Sequence, residues 1–355
     1  MRFRAFIQDF HMAKFLQVSA AALGAALCAS AYSAPASTPP KAEPHMQKVL
    51  DALASLGGKP IDTLTPDAAR KQPMPADAVK KVLADEGKST APEAGVTVRE
   101  MTVKGPHGDF PVHIYTPEGK GPFPVMVYYH GGGFVIADTA VYDAAPRALA
   151  KMAKAIIVSA DYHRAPENKF PVAPDEACAA YTWTLEHAAA FNGDPKRVAV
   201  GGESAGGNLA TVVSIMARDQ HAPLPVHQLL VYPVVDNDMT RPSYVQNVAA
   251  KPLSKPMMAW FFKHYGADPT SAMALPLKNA DLKGLPAATI VAAEIDPLLS
   301  EGKAYADALK QAGVKVDYRL YSGVTHEFFG MGAVVPKAKE AEQFAADGLI
   351  RAFTK

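Results

Sequence analysis

Cysteine, tryptophan and net charge are what this chain has least of: two cysteines, two tryptophans and a formal charge of +1 over 355 residues. So few cysteines exclude a disulfide-stapled scaffold and a Cys-rich zinc module. A disordered polyelectrolyte is excluded too, because it needs a large charge and few apolar residues, whereas 49 % of this chain is hydrophobic. A dedicated nucleic-acid binder carries a basic excess. Here 36 Lys plus Arg face 35 Asp plus Glu, so nucleic acid is not an expected partner. The 30 prolines have no accompanying glycine period, which excludes collagen and implies short loops and sharp element ends.

The N-terminal apolar run, residues 16–29, is too short and too rich in Ala and Ser for a stable membrane span. Arg2, Arg4 and Lys14 precede it, and small residues follow at Ala29-Ser30-Ala31 and Ala31-Tyr32-Ser33. This is the pattern of a secretory signal peptide cut near residues 31–33, started at Met1 or Met12. An uncleaved anchor is the alternative. The expected location is therefore the periplasm or the medium. Cleavage removes Cys28 and leaves Cys178 without an internal disulfide partner, so the exported chain depends on its core. Residues 33–44 read as a Pro, Ala and Ser-rich linker.

From residue 45 to 87 the apolar spacing is helical: Met46, Val49, Leu50, Leu53 and Leu56, then short helices opening at Thr65-Pro66 and Pro75. Strand patterns follow at 96–103, 110–116, 125–129, 155–160, 197–200, 227–232, 288–293 and 316–321. Helical patterns at 140–153, 173–187, 205–218 and 300–311 alternate with them. Short apolar strands alternating with helices predict an α/β fold, an eight-stranded mostly parallel sheet covered on both faces. The long gap before the seventh strand holds a strongly apolar helix, 254–264, with Trp260, Phe261 and Phe262. We read residues 1–33 as leader and linker start, 34–95 as a helical cap segment, and 96–355 as the main domain with a cap insertion at about 237–284. The aromatic stripe of that insertion suits either a hydrophobic substrate channel or the cap's own core.

Gly202-Glu203-Ser204-Ala205-Gly206-Gly207 joins the fifth strand to a helix. A G-x-S-x-G turn in this context holds a serine at a strained apex, and small neighbours are needed for strand and helix to meet there. The helix start also aims free N–H groups at the serine. His130-Gly131-Gly132-Gly133 follows the third strand. Attack on an ester carbonyl creates an oxyanion, and a backbone without Cβ atoms can turn its amides toward that charge. The N–H of Ala205 is the expected partner donor, and His130 the residue that shapes the loop. No P-loop and no G-x-G-x-x-G pattern is present, which argues against a phosphate site.

A serine at such a turn needs a base and an acid later in the chain. His221 and His227 come too early, and His264 falls in the inserted helix. His326 follows the eighth strand, at the strand ends where ligands meet parallel sheets. Glu294 and Asp296 both follow the seventh strand; Asp296, before Pro297 and further into the loop, is preferred.

These motifs together resemble the hormone-sensitive-lipase branch of the α/β-hydrolases, the bacterial family IV carboxylesterases. Besides the two glycine motifs, the resemblance rests on Asp161-Tyr162, Ala165-Pro166-Glu167, Phe170-Pro171, Asp296-Pro297-Leu298, Glu301-Gly302 and His326. It spans roughly residues 45–355. It implies a helical cap, a Ser204–Asp296–His326 triad, and oxyanion amides from Gly131, Gly132, Gly133 and Ala205. It also implies hydrolysis of short- to medium-chain carboxylic esters, with a small-molecule ester as substrate and no metal or organic cofactor. Lipase, amidase or lactone-hydrolase activity with the same triad is the runner-up. A non-catalytic binding protein on the same fold is the reading from another class. Oligomeric state is left open. Five positions depart from the branch's usual pattern: His163-Arg164 for Arg-Leu, Glu203 for Asp, Ser300 for Asp, and Glu327 where glycine is frequent.

Overall fold

The computed structural model describes residues 40–354, and the expected signal peptide lies outside the described residues. Helices α1 (Pro44–Ser55), α2 (Pro66–Ala69) and α3 (Pro75–Asp85) precede the sheet. The strands are β1 (Val96–Gly105), β2 (Gly108–Pro117), β3 (Phe123–Tyr129), β4 (Ile156–Ala160), β5 (Gly193–Glu203), β6 (Gln228–Val231), β7 (Ala288–Ile295) and β8 (Val316–Thr325). Between them run α4 (Ala144–Ala153), α5 (Val172–His187), α6 (Ala205–Asp219), α7 (Pro242–Gln246), α8 (Lys255–Tyr265), α9 (Pro276–Asn279) and α10 (Leu299–Gln311). Helix α11 (Pro336–Phe353) closes the described chain.

The eight expected strands form one sheet in the order β1-β2-β4-β3-β5-β6-β7-β8. Strand β2 runs antiparallel to β1 and β4; the remaining pairs are parallel. Alternate strand residues face opposite sides. Val125, Val127, Val200, Leu230 and Ile290 meet Ala177 of α5, Leu209 and Val213 of α6, and Leu309 of α10. Met126, Tyr128, Ala199, Leu229 and Val291 meet Leu149 of α4, Ala345 and Leu349 of α11, and Met46 and Val82 of α1 and α3.

Six of the strands run longer than their apolar patterns, β5 and β8 by the most. Strand β5 extends through Gly201 and Gly202, which pair with Tyr128 and Tyr129; a side chain on Gly202 would meet the Gly206 carbonyl at 2.4 Å. Strand β8 continues past Gly323 because the β7–β8 register shifts after Ala293 and resumes at Ile295 opposite Thr325. Helix α11 was not anticipated from the sequence. Its buried stripe is largely alanine (Ala338, Ala341, Ala345, Ala346), a weak hydrophobic signal, and Gly348 lets it approach Thr289.

The insertion after β6 forms helices and no strand among the described residues. Ser254 caps α8 by accepting from the Met257 amide, and Gly266 ends it at φ 66°. Trp260 Nε1 donates to the Leu64 carbonyl at 3.1 Å, joining this helix to the segment between α1 and α2.

Candidate active site

Sheet register assembles the site. Tyr129 pairs with Gly202, Glu203 with Val231, and Ile295 with Thr325. The next residues along these strands are therefore neighbours at their C-terminal ends: His130 beside Glu203, Ser204 beside Tyr232, and Asp296 beside His326.

Ser204 sits between β5 and α6 with φ 56° and ψ −116°, a conformation that costs free energy and is held by its surroundings. Its N–H donates to the Val231 carbonyl at 2.9 Å, and its carbonyl accepts from Val234 at 3.1 Å. A Cβ on Gly206 would stand 1.8 Å from the Tyr129 carbonyl oxygen, so only glycine lets the elbow close there. Ser204, Asp296 and His326 are all buried.

His326 Nδ1 donates to Asp296 Oδ2 at 2.7 Å. Asp296 Oδ1 accepts from the Leu298 amide at 2.8 Å. Glu294, the other candidate acid, accepts from the Gly323 amide at 2.7 Å instead, and so ties β7 to β8 shortly before the histidine. Burial alone would lower the His326 pKa; the adjacent Asp296 charge and hydrogen bond outweigh it, leaving it above 6.5. The Tyr232 ring lies 4.3 Å from the imidazole, so one residue touches the histidine while its predecessor, Val231, holds the Ser204 backbone.

The glycine loop turns tightly because Val135 and Ile136 both donate to the Gly132 carbonyl, at 3.0 and 2.9 Å. Gly132 and Gly133 have φ of 92° and 59°. Among the described residues no hydrogen bond engages the amides of Gly132 or Gly133. The Ala205 N–H belongs to the first turn of α6, which has no intrahelical acceptor. Gly131 lies against the Tyr142 hydroxyl. His130 is fully buried, stacks on Tyr162 at 4.3 Å and donates from Nδ1 to the Gly131 carbonyl at 2.8 Å. His264 packs on Trp260, with ring centroids 4.4 Å apart.

The five unusual positions have visible partners. Glu203 accepts from the Tyr128 hydroxyl, and from Tyr232 Oη at 2.5 Å. Burial, with Glu327 nearby, pushes its carboxyl up to about 8. The His163 amide and Nδ1 donate to the buried Glu176 carboxylate at 2.7 and 2.6 Å, and Arg164 donates to the Ala137 carbonyl at 2.5 Å. Ser300 and Ser243 exchange amide-to-hydroxyl bonds, each 3.0 Å, which staple α7 to the start of α10. Glu327 accepts from Tyr142.

Sequence reasoning missed three supports. Arg70 reaches from the end of α2 to the Val135 and Ala165 carbonyls and to Glu167. Asn247 Nδ2 donates to the Asp296 carbonyl at 3.1 Å. Tyr142 joins the glycine loop to Glu327. Each acts through a contact distant in sequence, and no local pattern marks it. Among the described residues no group of three His, Cys, Asp or Glu side chains is placed to hold a metal ion.

A serine elbow, a glycine-rich loop and a carboxylate-bound histidine on adjacent parallel strand ends define a hydrolase-type α/β architecture. The sequence model of the family described as "alpha/beta hydrolase fold" matches residues 126–330, and the chain belongs to that family, on its hormone-sensitive-lipase branch. Carboxylesterase NlhH of Mycobacterium tuberculosis is 42 % identical over 240 residues, 66 % of this chain and 75 % of the relative. Ethyl acetate hydrolase of Pseudomonas putida is 32 % identical over 297 residues, 82 % of this chain and 91 % of the relative. A thermostable esterase from Pseudomonas putida superposes with a TM-score of 0.81 at 34 % identity, covering 89 % of this chain and 99 % of the other.

Proposed function

We propose that this protein is a serine carboxylesterase that hydrolyses short- to medium-chain carboxylic esters through an acyl-enzyme on Ser204. The observation that carries the reading is the 2.7 Å bond from His326 Nδ1 to Asp296, both buried, three and two strands respectively from a serine at a strained elbow. In this reading Nε2 of His326 takes the Ser204 proton as Oγ attacks the ester carbonyl. The oxyanion is received by the amides of Gly132, Gly133 and Ala205, with Gly131 at the loop's base. His326 then protonates the departing alcohol, and water activated by the same imidazole releases the acid. Asp296 holds the tautomer and stabilises the imidazolium.

The N-terminal segment and the insertion act as a cap over this site. Trp260 against Leu64 and Phe261 against Gly133 support that reading. The leader-like residues 1–33 support export to the periplasm or beyond.

The test is hydrolysis of p-nitrophenyl esters of graded chain length, with fluorophosphonate labelling. Wild type should be labelled and active on short acyl chains, and Ser204→Ala should lose both, with kcat down by about 10⁶. Ester hydrolysis retained by Ser204→Ala defeats the assignment.

A further inference from the structure

A second acid stands beside the histidine, and the three-residue mechanism does not use it. Glu327 has a backbone φ of 68°, the left-handed region that a glutamate adopts at a cost. Both its carboxylate oxygens accept from Tyr142 Oη at 2.7 Å. Its Oε1 lies 3.8 Å from Nε2 of His326. The same Tyr142 hydroxyl stands 2.3 Å from where a Cβ on Gly131 would be, and the Tyr142 ring lies 5.9 Å from that of His130. One acid–hydroxyl pair therefore touches both the histidine turn and the glycine loop.

The geometry has a definite electrostatic meaning. At 3.8 Å the carboxylate is too far to take a hydrogen bond from Nε2, so it does not compete with serine for that nitrogen. It is close enough to attract an imidazolium strongly in a buried site. Asp296 binds the Nδ1 edge of the ring, and Glu327 faces the Nε2 edge. The titratable groups around Glu327 are His326, Asp296, Tyr142, His130, Glu203, Tyr128 and Tyr232. Burial pushes its carboxyl above the usual range, and His326, the Tyr142 hydroxyl and His130 pull against that rise. Tyr128 and Tyr232 hold Glu203 in place behind the pair.

We propose that Glu327 is a positioning residue for His326: pinned by Tyr142, it faces the Nε2 edge of the imidazole and favours its charged form. The proposal rests on the Ser204–Asp296–His326 reading. It also makes Tyr142 the link through which the glycine loop senses the histidine turn.

The experiment is a pH profile of kcat/KM for p-nitrophenyl butyrate with the full chain, comparing wild type, Glu327→Gln, Tyr142→Phe and the double variant. Removing the negative neighbour should make the imidazolium harder to form. The acid limb of Glu327→Gln should therefore move to lower pH by about half a unit or more, with kcat at the plateau down about tenfold. KM should stay within about twofold, because binding is not the step affected. Tyr142→Phe should move the limb the same way by less, and the double variant should match Glu327→Gln, since the tyrosine acts through the acid. An unmoved limb in Glu327→Gln overturns the proposal, as do additive effects in the double variant. If Glu327→Gln does not fold, an unmoved limb in Tyr142→Phe is decisive in its place. Ser204→Ala separates the two readings: activity surviving that change defeats the triad, whereas an inactive Ser204→Ala with an unmoved limb defeats only the role of Glu327.

Discussion

The ring of Phe261 closes over Gly133, its nearest atom 2.3 Å from where a Cβ on that glycine would stand. The inserted helix and the glycine loop are thus fitted to each other at one point. Gly133→Ala should push the ring or the loop aside and lower kcat by about 10²–10³, the usual consequence of a misplaced oxyanion donor. Adding Phe261→Ala should restore part of that loss. Gly132→Ala should not be rescued by it, because a Cβ there meets the Ile136 carbonyl oxygen at 2.1 Å and the backbone φ is 92°. Equal rescue of both variants, measured on one ester, would refute the contact.

The two acids after β7 should separate cleanly. Asp296→Asn should lower kcat by about 10⁴ through loss of the correct imidazole tautomer. Glu294→Ala should spare kcat to within about tenfold but lower the melting temperature, because it frees only the Gly323 amide. A larger kcat loss in Glu294→Ala than in Asp296→Asn would reverse the assignment.

Stability should fall as pH rises from about 5 to 8. Burial raises the carboxyls of Glu203 and Glu301 to about 8 and that of Glu342 to about 7, against an ordinary 4.5. The folded state therefore holds protons that the unfolded chain has released. A group raised in this way stabilises fully below its unfolded pKa and loses that contribution as pH passes through its folded pKa. The slope is at most about 1.4 kcal/mol per pH unit for each such group. Thermal melts between pH 5 and 8 should show the decline, and Glu203→Gln should flatten it. A melting temperature that climbs over this range would contradict the sign.

Arg70→Ala should destabilise the protein by about 1–3 kcal/mol, since it leaves the Val135 and Ala165 carbonyls without their donor. Arg70→Lys should recover little, because a single ammonium cannot reproduce the fork that meets both carbonyls and Glu167. Urea titration of the three proteins measures it. Full recovery in Arg70→Lys would leave only charge as the cause.

The parallel sheet was legible in the sequence because each strand is a short apolar run with turn residues on both sides. The turn that holds Ser204 was legible because it demands glycine on either side, and the strand-end place of His326 because that residue follows the eighth strand. The choice between Glu294 and Asp296 rested on two residues of loop, and only the shifted β7–β8 register, with Ile295 opposite Thr325, makes it physical. Helix α11 went unread because alanine buries little area and so writes a faint stripe, although Ala338, Ala341, Ala345 and Leu349 keep helical spacing. Arg70, Tyr142 and Asn247 were invisible for another reason: their partners lie 95, 185 and 49 residues away in the chain.

That last bond couples two parts of the molecule that natural variation would otherwise be free to treat separately. Asn247 belongs to the inserted segment yet props the backbone of Asp296, and Ser243 locks to Ser300 just beyond it. Exchanging this segment for a homologous one to retune selectivity would disturb the acid unless both anchors travelled with it. A chimaera that keeps Asn247 and Ser243 should inherit the donor's preference at the recipient's turnover, while one that lacks them should be slow on every ester.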